Sequence, residues 1–191
     1  MIRLTLLGAF ALSMLAAPML AQDGQRVISL GGSVTEIAVA LGAQDRLIAR
    51  DTTSNYPPEI EDLPDVGYIR ALSPENVLAL SPDLIIAEGD AGPPEAVEVL
   101  KSAGIPFALM PEANGPDAIP AKIAAVAEAL GKVEEGKALS ANVSAGLEAA
   151  KARAAAVAAP KRVLFILSLQ GGRVMAGGEG TEAEVIIRLA G

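Results

Sequence analysis

The sequence predicts an α/β fold of two lobes joined by one long helix, with the second lobe incomplete. From residue 25 onward, short apolar runs alternate with helical patterns, which is typical of strand–helix units that build a parallel sheet. Residues 132–159 contain no proline and are rich in Ala, Glu, Lys and Leu, which favours one long helix. A strand and a helix follow Pro160, too little to bury a core of their own. We therefore expect an N-terminal lobe over 22–131, a connecting helix over 132–159 and the start of a C-terminal lobe over 160–191, in a chain truncated at its C-terminus.

The first elements are two strands around one helix. An apolar run over 26–30 predicts a buried strand, and a second strand follows over 46–50. Ser33, three residues before Glu36, predicts a capping box at the start of the helix between these strands. Residues 51–70 carry prolines and glycine without any periodicity, which predicts a long loop.

The remaining elements continue the alternation. The Ser-Pro-Glu segment at 73–75 predicts the start of a helix, because proline is favoured at the first helical position. The apolar pattern then predicts strands over 83–87, 105–110 and 162–167 and helices over 93–103, 117–130 and 181–189. Because ligands bind outside the carboxyl ends of parallel strands, the candidate binding positions are 31–33, 51–54 and 88–92.

Composition and charge exclude several classes of protein. The chain has 191 residues, with 15 Lys and Arg against 23 Asp and Glu; this net charge of −8 disfavours binding to nucleic acid. It has no cysteine and no histidine, which excludes disulfides, thiol nucleophiles, histidine-ligated zinc and Ser-His-Asp triads. Carboxylates, tyrosines, lysines and hydroxyls are left for metal or acid–base chemistry.

The N-terminus has the pattern of a secretory signal peptide over 1–21. Arg3 precedes an uncharged apolar stretch over 4–21, and the small residue Ala21 precedes a polar sequence. A membrane anchor is the alternative, since the stretch is just long enough to span a bilayer. Pro18 and the lack of positive charge after the stretch favour cleavage near Ala21, so we expect an exported protein without a direct membrane anchor.

Four segments carry a resemblance to a known family. They are R-V-I-S-L-G-G-S-V-T-E-I at 26–37, D-T-T-S at 51–54, L-P-D-V-G-Y-I-R-A-L-S-P-E at 63–75 and L-S-P-D-L-I-I at 80–86. Over 26–191 the chain resembles the haemin-binding periplasmic proteins of haem ABC importers. The resemblance implies the class III periplasmic binding protein fold, in which one long helix joins two Rossmann-like lobes. It also implies a monomeric, non-enzymatic periplasmic protein that binds haem and delivers it to an ABC permease and ATPase complex for iron uptake.

By this resemblance Tyr68 is the iron ligand and Arg70 contacts the haem. In that branch the tyrosine of a Gly-Tyr-x-Arg segment is an axial ligand to haem iron, and the arginine contacts the haem or its propionates. The chemistry is compatible, because a phenolate is a hard anionic ligand for ferric iron. Two residues apart in an extended segment, Tyr68 and Arg70 would share one face, where a guanidinium favours the ionised phenol.

Four further residues are candidates for contacts with the ligand or the importer. Tyr56 lies on the same loop as Tyr68 and is a candidate for the cleft wall. Arg173 and Met175 follow the region where some relatives carry a histidine, and are candidates for the far side of the cleft. The absence of histidine rules out histidine ligation and argues against a stacked pair of haems. Glu75 matches an acidic residue that relatives present to the permease. For each of the four, an ordinary structural role stays open.

Other functions also stay open at the level of sequence. A ferric siderophore or cobalamin is the alternative ligand within the same class of protein, although an aromatic content of 3% argues against a siderophore. Asp51, Glu88 and Asp90 follow strand ends and are candidates for the carboxylate pair of a secreted hydrolase, yet no nucleophile or partner base is identifiable. A secreted interaction domain is the remaining alternative.

Overall fold

The computed structural model describes residues 24–112, 115–159 and 161–191, and its α/β architecture confirms the predicted fold class. Its strands are β1 Val27–Leu30, β2 Leu47–Arg50, β3 Leu84–Ala87, β4 Phe107–Leu109, β5 Ile166–Gln170 and β6 Arg173–Ala176. Its helices are α1 Gly32–Ala40, α2 Pro74–Leu78, α3 Pro94–Ser102, α4 Ala118–Leu130, α5 Val133–Ala155 and α6 Glu182–Leu189. The first four strands form a parallel sheet in the order β2-β1-β3-β4. The predicted signal peptide over 1–21 and the helix stop at Pro160 lie outside the described residues.

The parallel sheet has a hydrophobic cluster on each face. Side chains alternate along β1, so Val27 packs into one cluster and Ile28 into the other. α1 and α4 cover the first face, to which α4 contributes Val126. α2 and α3 cover the second face with Val77 and Leu100. Because helices bury both faces, β3 is a continuous apolar run and β1 is apolar except for Ser29, which is the pattern that predicted them.

α5 is the long helix that the sequence predicts. It runs unbroken past Gly146 and ends at Ala155, inside the predicted range of 132–159. Most of its surface is exposed, and it packs against α4. Across the described part of the chain, none of the helices combines the length and the apolar character needed to cross a membrane.

The start of α1 differs from the prediction. The capping box of Ser33 and Glu36 is absent, because α1 begins at Gly32, Gly31 holds the N-cap position, and no side chain caps this helix. Ser33 therefore lies inside the first turn, where its Oγ donates a hydrogen bond to the carboxylate of Glu88. The prediction is wrong because the glycine turn starts the helix early and directs the serine hydroxyl towards the end of β3.

The second sheet is an antiparallel hairpin that the sequence analysis missed. The strand expected over 162–167 lies at 166–170 instead and pairs with β6. Gly171 and Gly172 between them have φ angles of 57° and 75°. Positive φ at both turn positions is the backbone geometry that joins two adjacent antiparallel strands. The prediction treated these glycines as a turn that leads to a helix, and it was therefore wrong about both the position of β5 and the existence of β6.

Candidate functional site

A cleft of about 710 Å³ lies at the carboxyl ends of the parallel strands. Its volume falls in the range of pockets that bind small molecules, roughly 300–1,000 Å³. All three predicted binding segments, 31–33, 51–54 and 88–92, contribute residues to it. The lining residues are Gly31, Gly32, Ser33, Thr53, Tyr68, Ile69, Arg70, Glu88, Gly89, Asp90, Pro111, Glu112, Lys122 and Glu182.

Tyr68 and Arg70 meet on one wall of this cleft. Nη1 of Arg70 donates a hydrogen bond to the phenol oxygen of Tyr68 at 3.2 Å. The backbone is not extended there as predicted, because Arg70 lies in a short 3₁₀ turn, Ile69–Ala71, that follows Tyr68. That detail of the prediction is wrong, because it is the 3₁₀ turn, and not the pleat of a strand, that brings the two side chains together. The Tyr68 residue is 42% exposed, so its phenol is open to a bound molecule.

Asp90 is a second partner of Arg70 that sequence reasoning did not identify. Nε of Arg70 donates to Oδ2 of Asp90 at 2.8 Å, and Nη2 forms an ion pair with the same oxygen. The hydrogen bond and the charge of Asp90, followed by the charge of Tyr68, raise the pKa of Arg70 above its usual value. Asp90 lies in the turn after β3, 20 residues from Arg70, so no local pattern links the two residues.

A second cluster of polar and charged side chains joins α4 to α1 and to the residue directly after β3. Nζ of Lys122 donates to Oε2 of Glu88 at 2.7 Å and to Oγ of Ser33 at 3.0 Å. Both charged side chains are largely buried, with relative exposures of 23% for Lys122 and 20% for Glu88. The sequence analysis noted Glu88 only as a carboxylate at a strand end and did not identify Lys122. In the structure the lysine neutralises Glu88, and the group ties three elements together.

Asp51 is a buried carboxylate that organises the glycine turn and the loop after β2. Oδ1 accepts hydrogen bonds from the backbone N–H of Gly31 at 2.9 Å and from Oγ of Ser54 at 2.7 Å. Oδ2 accepts from the backbone N–H of Thr53 at 3.0 Å and from its Oγ1 at 2.7 Å. From Ser54 the network continues to the hydroxyl of Thr35, whose Oγ1 lies 2.7 Å from Oγ of Ser54. An Asp followed closely by Thr and Ser is a signal for such a side-chain turn, and D-T-T-S at 51–54 carries it.

These bonds argue against the carboxylate pair of the hydrolase alternative. Asp51 is 0% exposed and its oxygens accept from backbone and hydroxyl donors. Glu88 is bonded to Lys122, and Asp90 is bonded to Arg70. Each carboxylate thus has its own donors, and the three do not form an acid–base pair.

The family of the chain follows from its similarity to known proteins. Residues 27–191 match the family described as periplasmic binding protein, and this match covers most of the chain. The chain belongs to that family. The members of this family are solute-binding proteins and not enzymes. The parallel sheet, its flanking helices and the long α5 match the class III fold of these binding proteins.

Two solved structures and one curated protein give the scale of the similarity. The periplasmic heme-binding protein RhuT from Roseiflexus sp. RS-1 is 38% identical with a TM-score of 0.85, over 88% of this chain and 64% of that chain. The periplasmic heme-binding protein BhuT, in complex with two hemes, is 40% identical with a TM-score of 0.82, over 87% of this chain and 65% of that chain. The vitamin B12-binding protein of Pectobacterium carotovorum subsp. carotovorum is 40% identical over 99 residues, 52% of this chain and 36% of that protein.

This periplasmic binding protein chain spans only part of its relatives. It covers 64% of the length of RhuT and 36% of the length of the vitamin B12-binding protein. The names of these relatives give two different ligands, haem and vitamin B12. The similarity therefore identifies the family and the class of solute-binding protein.

The other predicted site residues of this binding protein lie apart from the cleft. Tyr56 is 61% exposed on the loop after β2, and it is not among the residues that line the cleft. Arg173 and Met175 are exposed on β6 and do not line the cleft either. Glu75 is exposed in the first turn of α2. Ser73 is the N-cap of this helix, and its Oγ accepts a hydrogen bond from the backbone N–H of Asn76. Contact of these four residues with a ligand or with the importer stays a prediction.

The turn after β1 gives a prediction about the stability of this binding protein. Gly31 has a φ of 108°, and an added Cβ would lie 2.2 Å from Cγ of Glu88. We expect Gly31→Ala to lower the free energy of unfolding by about 3 kcal/mol, through backbone strain and displacement of Glu88. The measurement is urea unfolding followed by far-UV circular dichroism.

Gly42→Ala is the matched control for this prediction. Gly42 has a φ of 70°, in the left-handed helical region, and an added Cβ would have nothing within 4 Å. Gly42→Ala should lower the free energy of unfolding by only about 1 kcal/mol, the usual penalty for a left-handed conformation. Equal losses for the two variants would contradict the tight packing assigned to Gly31.

Proposed function

We propose that the chain is part of a periplasmic protein that captures haem and delivers it to an ABC importer, with Tyr68 as the iron ligand. The observation that carries the proposal is the phenol of Tyr68 on the wall of the cleft, hydrogen-bonded to Nη1 of Arg70 at 3.2 Å. The chain has two tyrosines and no histidine, and only Tyr68 lines the cleft. Ferric haem is bound by tyrosinate in known haem proteins, so this side chain is suited to the iron.

The surroundings of Tyr68 support a role as a ligand. A phenolate oxygen is a hard anionic ligand that is suited to ferric iron. Arg70 is held beside the phenol by Asp90, whose Oδ2 accepts from Nε at 2.8 Å. RhuT and BhuT, which share 38% and 40% identity with this chain, are named as heme-binding.

The same proposal includes the delivery of the ligand. The protein would reach the periplasm after removal of residues 1–21 and act there as a monomer. Glu75 is the proposed docking residue for the permease of the importer, because its carboxylate is exposed at the start of α2. The ATPase of the same importer would then supply the energy for uptake of haem and iron.

Cobalamin is the second candidate ligand, and two observations favour it. The vitamin B12-binding protein of P. carotovorum is 40% identical over 99 residues. The cleft is also lined by four carboxylates, of Glu88, Asp90, Glu112 and Glu182, against two cations, of Arg70 and Lys122. Carboxylates accept hydrogen bonds from the neutral amide groups of a corrinoid, whereas they repel the two propionates of haem.

A parallel titration of the full-length protein distinguishes the two ligands. The protein should carry a tag without histidine, because added histidines would bind haem. We expect ferric haemin to saturate one site and to give the visible spectrum of a high-spin, phenolate-ligated iron, with at least tenfold tighter binding than cyanocobalamin, about 1.4 kcal/mol. Saturable binding of cyanocobalamin without saturable binding of haemin would overturn the haem proposal and support the corrinoid.

A further inference from the structure

Asp90 occupies the side of Arg70 that a ligand carboxylate would otherwise bind. A guanidinium binds carboxylates through paired N–H donors in a planar fork. In this cleft Nε and Nη2 of Arg70 both point to Oδ2 of Asp90, and Nη1 points to the phenol of Tyr68. Three of the five N–H donors of Arg70, including the Nε and Nη2 pair, are therefore engaged before any ligand binds.

The backbone fixes this pairing in place. The backbone N–H of Gly92, after Asp90, donates to the carbonyl of Ile69 at 2.9 Å. The backbone N–H of Leu72 donates in return to the carbonyl of Gly92 at 2.9 Å. These two bonds join the turn that carries Arg70 to the turn that carries Asp90. The backbone therefore places the side chains of Arg70 and Asp90 next to each other.

Both charged groups remain within reach of a bound molecule. The side chain of Arg70 is 61% exposed and that of Asp90 is 41% exposed, and both residues line the cleft. A ligand carboxylate that approaches Arg70 must displace Asp90 or bind next to its negative charge. Either route weakens the attraction between Arg70 and an anionic ligand.

We propose that Asp90 is a specificity-determining residue, an internal carboxylate that takes the place of a ligand carboxylate on Arg70. It lowers the preference of the cleft for propionate-bearing ligands and leaves the hydrogen bond from Arg70 to Tyr68 as the main role of the arginine. This inference rests on the proposed haem function.

The experiment compares ferric haemin with its dimethyl ester, in which methyl groups on the propionates remove their charge. Affinities of the full-length protein for both are measured in the same neutral detergent, and the ratio of the two Kd values reports recognition of the propionates. Asp90→Asn keeps the shape of the side chain and removes its charge. We expect it to raise the preference for haemin over the diester about fivefold, the effect of freeing one exposed ion pair.

Two further variants separate this mechanism from a general change of charge. Glu112→Gln removes the same charge from the same cleft, but the ion pair of Arg70 is with Asp90. It should change the preference by less than about twofold. Arg70→Gln combined with Asp90→Asn should abolish the gain, because no guanidinium is left to bind the propionate.

The outcomes are distinct for the two proposals. A rise that is specific to Asp90→Asn and requires Arg70 supports the inference. Equal rises in Asp90→Asn and Glu112→Gln, no rise in Asp90→Asn, or a rise that persists without Arg70 would overturn it while the haem function stands. Absence of saturable haemin binding by the unaltered protein would overturn both proposals.

Discussion

Replacement of Tyr68 by phenylalanine is expected to weaken binding of ferric haemin about 100-fold, or about 2.7 kcal/mol, and to remove the phenolate-to-iron charge-transfer absorption. The physical reason is that the substitution deletes one oxygen atom and keeps the ring. The phenol oxygen that accepts from Arg70 at 3.2 Å is the proposed ligand to iron, and the chain has no histidine to replace it. The measurement is a visible-absorbance titration of the full-length variant.

Tyr56→Phe is the matched control, because it removes the other tyrosine of the chain. Tyr56 lies outside the residues that line the cleft, so this variant should keep both the affinity and the charge-transfer band. Unchanged haemin binding and spectrum in Tyr68→Phe would remove Tyr68 from the proposal. A loss in Tyr56→Phe instead would make Tyr56 the candidate iron ligand.

Replacement of Asp51 by alanine is expected to lower the free energy of unfolding by about 4 kcal/mol. The substitution leaves four donors without their acceptor: the backbone N–H groups of Gly31 and Thr53 and the hydroxyls of Thr53 and Ser54. Asp51 is 0% exposed, so water does not readily replace the carboxylate. Urea unfolding followed by far-UV circular dichroism measures the loss.

Two variants test whether the lost hydrogen bonds cause this effect. Asp51→Asn keeps the volume but turns one acceptor into a donor that faces other donors, so it should lose about 2–3 kcal/mol. Asp62→Ala removes an exposed carboxylate from the same long loop and should change the stability by no more than about 0.5 kcal/mol. A loss below about 1 kcal/mol in Asp51→Ala would show that the network is not a major source of stability.

The sequence predicted most of the parallel sheet because its strands are buried on both faces. Residues 26–30 and 83–87 are apolar runs bounded by polar residues and breakers, and β1 and β3 lie within them. Proline also predicted the start of α2, which begins at Pro74, and the structure adds Ser73 as its N-cap. The hairpin of β5 and β6 was missed because a pair of glycines is compatible with several turns, and only the positive φ angles of both specify this one.

Contacts between side chains of the candidate site were predictable only where the two residues are close in the sequence. Tyr68 and Arg70 belong to one short segment, and a family resemblance in that segment assigned their roles. Their predicted extended backbone was wrong, yet the 3₁₀ turn brings the same two side chains together. The predicted capping box at Ser33 is absent because its hydroxyl bonds to Glu88, directly after β3, rather than within its own helix.

Tertiary structure alone decided the partners of the charged residues. Arg70 meets Asp90 across 20 positions, and Lys122 meets Glu88 across 34 positions. These partners lie on loops and helices that the strand order β2-β1-β3-β4 brings to one edge of the sheet. Hydrophobic periodicity determines which residues form strands and helices, because burial acts on each element locally. It does not encode which polar groups face each other, since those contacts depend on how separate elements pack. The sequence by itself therefore determined the α/β class and the segments of the cleft, and the packing of the elements determined how the charges in the cleft are paired.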